Sequence, residues 1–101
     1  MTDNTPNPSD LYAHAQIAWG REAQLAKTAE EFAELSAEVN RLQNDQTTLD
    51  RVISEMADAR IMLEQLETDF TDEAVEREYE KKLSQLQERL PNTSAPEGGA
   101  S

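Results

Sequence analysis

Cysteine is absent from this chain of 101 residues, which excludes a disulfide framework and any thiolate metal site. Long apolar runs are absent too, and none approaches the ~20 residues that a membrane-spanning helix needs. The N-terminal stretch MTDNTPNPSD is polar and lacks the apolar centre of a signal peptide, so the expected location is the cytoplasm. Positive charge is scarce. The chain carries 9 basic against 21 acidic residues, a formal net charge of −12, and its lysines are Lys27, Lys81 and Lys82 alone. Such a field repels nucleic acid, and no basic stripe exists for a phosphate backbone to follow. Neither nucleic acid nor membrane is therefore an expected partner. Two readings of the acidity stay open: a solubilising surface, or adaptation to a high-salt host.

Helix breakers are missing from the middle of the chain. Between the two ends, Gly20 is the single glycine and there is no proline. With abundant Ala, Leu, Glu and Gln, that favours helix throughout. Residues 1–8 and the Pro/Gly/Ser-rich stretch 91–101 read as flexible tails around one helical domain over 9–90. A first helix is expected from an N-cap at Ser9 to about Ala18, and Trp19-Gly20 marks a break. A second runs from Arg21 to Gln43 and a third from Leu49 to Asp69, capped by Thr47 or Thr48. A fourth follows Thr71, with Asp72 and Glu73 in its dipole-favoured first turn, and ends before Pro91.

The apolar spacing agrees with helices. The second helix carries a stripe at Leu25, Phe32, Leu35, Val39 and Leu42. The third carries Val52, Met56, Ala59, Leu63, Leu66 and Phe70, with a second apolar edge at Ile53, Ala57 and Ile61. The fourth carries Val75, Tyr79, Leu83, Leu86 and Leu90. A helix that is apolar on two sides contacts more than one neighbour. In so small a chain the extra neighbour is another copy of the protein. The expected fold is all-α: an antiparallel bundle of about four helices, completed by oligomerisation.

Two acidic pairs stand out, Glu31/Glu34 and Glu55/Asp58. Each has i,i+3 spacing, so each pair shares a helix flank. At ~100° per residue, Glu31 lies near −100° and Glu34 near −160° from Phe32, and Glu55 and Asp58 take the same angles from Met56. Both pairs border the expected core on the same side, where antiparallel helices would point them at one spot. Bare carboxylates gathered there repel, and all-oxygen ligands suit Mg²⁺, Mn²⁺ or Ca²⁺ rather than zinc. The other reading is a pair of solvated helix faces. Lys27 precedes Glu31 by one turn and Arg51 precedes Glu55 by one turn. These cations are positioned either to meet phosphates or to form ordinary i,i+4 ion pairs. Lys82, Gln85 and Arg89 share one flank of the fourth helix.

The pattern Glu30-Glu31-Phe32-Ala33-Glu34, then Glu55-Met56-Ala57-Asp58, resembles the MazG-like all-α nucleoside triphosphate pyrophosphohydrolases. The lead-in WGREAQLAKTAEEFAEL (19–35) is similar to that of short, phage-type members, as are EMADARIMLEQLE (55–67) and YEKKLSQLQERL (79–90). The likeness spans about 11–90. It implies that Glu31, Glu34, Glu55 and Asp58 bind Mg²⁺, with Mn²⁺ as a substitute, and that Glu30 is structural or one step removed. It implies hydrolysis of an NTP or dNTP to the monophosphate and pyrophosphate, of the nucleotide-pool house-cleaning type. Glu34 would then also orient or deprotonate the attacking water, and Lys82 and Arg89 would join Lys27 and Arg51 as phosphate contacts. It implies a homodimer or homotetramer. The reading expects one short domain without a second catalytic domain, and Met56 stands where many relatives carry an acid or Ile.

Base selection is less legible. Trp19 either stacks on a base or anchors the helix junction, and Gln24 is placed to bond a base edge. His14 reads as a surface residue, and Tyr12 and Tyr79 as packing residues. The competing function is a non-catalytic helical interaction module related to the same family.

Overall fold

The computed structural model describes residues 5–70 and 72–91. All regular structure among them is helical: α1 Pro8–Trp19, α2 Arg21–Gln43, α3 Leu49–Asp69 and α4 Asp72–Arg89. The expected bounds of the second and third helices coincide with α2 and α3. The chain divides into two compact units, residues 1–71 with α1 to α3, and residues 72–101 with α4. No helix among the described residues is long and apolar enough to cross a membrane.

The first cap differs from expectation. Asn7, not Ser9, is the N-cap of α1: its Oδ1 accepts the Ser9 N–H at 2.8 Å, and Pro8 occupies the first turn. Proline suits that place because its missing N–H would be unpaired there anyway. Gly20 ends α1 and starts α2. Its N–H donates to the Gln16 carbonyl at 2.8 Å, and its own carbonyl accepts the Gln24 N–H at 3.1 Å. Its φ of +87° is one that only glycine adopts cheaply. Thr48 is the cap of α3, accepting the Arg51 N–H. The expected cap at Thr71 and most of the two expected tails (1–4 and 92–101) lie outside the described residues.

α2 and α3 form an antiparallel hairpin. Thr47 meets Glu38 at the connector, and Arg21 meets Asp69 at the far end, 3.8 Å apart. Arg21 also lies over the Phe70 ring, 5.1 Å from its centroid. α1 runs beside α3 in the same direction: the Tyr12 hydroxyl donates to Glu64 at 2.7 Å, and the Gln16 amide donates to Asp69 at 3.1 Å. No residue of α1 is buried, so polar contacts of this kind attach it.

The seam between α2 and α3 corrects the expected core. Its α2 side is Gln24, Thr28, Glu31 and Glu38, all buried, with Leu35 half-buried. Those positions step by four and three, the spacing of a helix–helix seam. The α3 side holds Val52, Ala59, Met62 and Gln65, with Glu55 and Leu66 half-buried. Of the predicted α2 stripe, Leu35 alone lies on the interface, and Leu25, Phe32, Val39 and Leu42 are exposed. The stripe's centre is rotated roughly 50° from the seam, and Phe32 is 39% exposed. Met56 and Leu63 of α3 are exposed on the same side. Together these form an apolar groove of about 690 Å³ lined by Phe32, Leu35, Val39, Met56, Ala59 and Leu63. Two helices can meet along one line only, and here it runs mainly through polar side chains on α2 and through Val52, Ala59 and Leu66 of the predicted stripe on α3.

α4 is amphipathic along Val75, Tyr79, Leu83, Leu86 and Leu90. Val75 is half-buried and the other four are exposed.

Candidate metal centre

Helix continuity through EEFAE and EMAD fixes the acidic side chains, and the hairpin brings them together. Glu31, Glu34 and Glu55 each place one carboxylate oxygen within 4.8 Å of the others. Glu31 is 7% exposed, Glu55 half-buried and Glu34 exposed. The group thus grades from the seam to solvent. Asp58, the fourth expected ligand, is exposed one turn further along α3 and lies outside this group.

Glu31 Oε1 and Glu55 Oε1 are buried without a hydrogen-bond partner. An ionised carboxylate buried that way is costly unless a cation or donor meets it. Lys27 supplies part of the compensation. Its Nζ lies 3.0 Å from Glu31 Oε2 and 3.8 Å from the exposed Glu30. The hydrogen bond to Glu31, then the charge of Glu30, raises the Lys27 pKa. Lys27 therefore satisfies one oxygen of Glu31 and leaves the other. Glu34 is pushed above the usual carboxylate range, first by the charge of Glu31, then by desolvation and by Glu55 and Glu30. The donor set is all oxygen, partly buried and partly unsatisfied, and fits a hard divalent cation.

The other expected contacts separate. Arg51 forms no ion pair with a carboxylate among the described residues, so the Arg51–Glu55 pair, one of the two readings of that spacing, is not formed. It lines a second cavity, about 480 Å³, with Glu38, Arg41, Gln46, Thr47 and Thr48. Glu38 there accepts from the Thr47 hydroxyl and from Arg41, each at 2.7 Å. The Thr47 hydrogen bond, with Arg41 and the Arg51 charge, holds the Glu38 carboxyl below its ordinary value. Lys82 and Arg89 lie on α4, in the second unit.

Trp19, Gln24 and Lys27 do converge. They line a cavity of about 350 Å³ with Ala23, Met62 and Gln65. Trp19 is 68% exposed, so it is a wall rather than a packed anchor. His14 is exposed, and Tyr12 is half-buried against α3. Met62 and Gln65 were not legible as site residues. The available signal was their place on the third helix beyond EMAD, on the flank that turns inward once the seam rotates.

No protein-family model, curated protein or solved structure matches this chain.

Proposed function

We propose that this protein is a Mg²⁺-dependent pyrophosphohydrolase of nucleoside triphosphates, active as a homodimer or homotetramer. One observation carries the reading: three carboxylates from two helices converge at the α2–α3 seam, and two of their oxygens are buried without a partner. A purely structural seam would have no use for that arrangement, since apolar residues of similar size serve it at least as well. The order and spacing of EEFAE and EMAD, which resemble the MazG-like enzymes, supply the reaction class.

Glu31, Glu34 and Glu55 are the residues that would hold Mg²⁺ or Mn²⁺, with Asp58 added by the resemblance. When bound, the cation offsets their charge, accepts phosphate oxygens and lowers the pKa of water. The protein's own groups do the rest. Glu34, whose carboxyl already holds a proton more tightly than usual, takes the proton from the attacking water. The water oxygen bonds to the α-phosphorus, the α–β bridging bond breaks, and pyrophosphate leaves. Lys27, already beside Glu31, is the nearest cation for the phosphates. The apolar groove on the hairpin supports assembly with another copy. It equally supports the second reading, a helical interaction module without turnover.

Pyrophosphate release from a panel of NTPs and dNTPs, with Mg²⁺ and with EDTA, tests the proposal. Release that stops in EDTA, with matching monophosphate, is the expected result. A folded helical oligomer that releases none supports the interaction module instead.

A further inference from the structure

The cavity bounded by Trp19 and Gln65 has a buried polar group that the reaction described above does not use. Gln65 is 8% exposed. Its Nε2 donates to the Met62 sulfur at 3.6 Å, and its Oε1 is buried without a partner. A thioether accepts but cannot donate, so this contact holds the nitrogen and leaves the carbonyl as a lone acceptor. A buried acceptor without a donor is costly, and a ligand N–H relieves the cost.

The rest of the lining suits a flat aromatic ligand. The exposed Trp19 indole offers a stacking face, and Met62 a soft apolar floor. The cavity also leads to the carboxylates, because Lys27 lines it and holds Glu31 at 3.0 Å. Gln24 and Glu31 stand two helical turns apart, about 10 Å. That separation suits a nucleotide whose base lies by Gln24 and whose phosphates lie by Glu31.

We infer that this cavity seats the nucleobase, and that Gln65 selects adenine and cytosine, whose N6 and N4 amino groups stand where uracil and thymine carry the O4 carbonyl. The inference rests on the nucleotide reading above. An amino N–H donates to the Gln65 carbonyl. Uracil and thymine put a carbonyl oxygen at that edge, and two facing acceptors repel. Gln65 is then a specificity residue remote from the bond that breaks.

Trp19 is the only tryptophan, so its fluorescence reports on this cavity. The full chain is titrated with AMP, CMP, UMP and TMP, with and without Mg²⁺. AMP and CMP are expected to quench Trp19 with affinities about tenfold above those of UMP and TMP, the scale of one well-placed amide–base contact. Gln65→Met keeps volume and removes the amide, and should bring all four within about twofold. Gln65→Glu keeps an acceptor and should keep the preference. Equal quenching by all four, no quenching by any, or a preference that survives Gln65→Met in a protein of unchanged circular dichroism overturns the inference. The readout is binding, so its failure is distinct from a failure of turnover. Amino-base preference without pyrophosphate release overturns the hydrolase reading alone, and release without base preference overturns the Gln65 assignment alone.

Discussion

Glu31 of α2 and Glu55 of α3 face each other across the hairpin seam, each with one carboxylate oxygen buried and unpartnered. Lys27 reaches only the other oxygen of Glu31. The seam is thus short of positive charge at one point. Mg²⁺ or Mn²⁺ is expected to raise the Tm, and Glu31→Gln should abolish most of that rise. Thermal melts across a cation titration check this. A Tm indifferent to both ions would show that the cluster holds no cation.

Glu34 has opposite effects on stability and on activity. Its folded pKa is raised, so whatever it contributes to stability is present below its unfolded value and lost as pH rises through the folded one. At neutral pH it is a liability in the metal-free protein. Glu34→Gln should therefore raise the metal-free Tm at pH 7 and lower turnover by about 10²- to 10⁴-fold, the range for loss of a general base. A variant with lower Tm and unchanged turnover would contradict both roles.

The Thr47–Glu38 hydrogen bond has the reverse sign. Glu38 is depressed, first by Thr47 and then by Arg41. Its contribution is present above the unfolded carboxylate pKa and is lost as pH falls through the lower folded one. Thr47→Val keeps the shape and removes the donor. It should lower the Tm at pH 7 and move the acid-unfolding midpoint to higher pH. Circular dichroism against pH measures both. An unmoved midpoint would mean that Thr47 does not hold Glu38.

The groove of Phe32, Val39, Met56 and Leu63 is a large apolar surface for so small a chain. Sedimentation should find a dimer or tetramer at micromolar concentration, and Met56→Glu should dissociate it while leaving the α2–α3 hairpin helical. A wild-type monomer would leave the groove to a different partner.

Much of this architecture was legible because helix limits are local. Gly20, Thr48 and the breaker-free runs set the ends of α2 and α3 without help from packing. Three of the four acids were legible for the same reason, since i,i+3 spacing fixes a common flank, but Asp58 stands outside the group that the hairpin gathers. What spacing could not fix was which line of each helix faces the other. The apolar stripes marked Phe32 and Leu63 for burial along with Val52 and Ala59; the hairpin buries Val52 and Ala59 but closes on α2 along Thr28 and Glu31, leaving Phe32 and Leu63 exposed. A stripe tells which face seeks cover, not whether the cover comes from the same chain. Asn7 displaced Ser9 as a cap because Pro8 fits the first turn. Gln65 escaped notice because an isolated glutamine has no signature until its neighbours are known. Arg51 was aligned with Glu55 by sequence spacing, but its charge acts on Glu38 across the connector.

The most direct test of the carboxylate centre is pyrophosphate release by wild type and by Glu55→Gln, measured with Mg²⁺ and with EDTA on one panel of nucleoside triphosphates. The account predicts release by wild type with Mg²⁺ and none with EDTA. It predicts a loss of at least about 10²-fold in Glu55→Gln with the helical fold intact. Release by neither protein under any condition, with Mg²⁺ shown to bind nowhere, would contradict it.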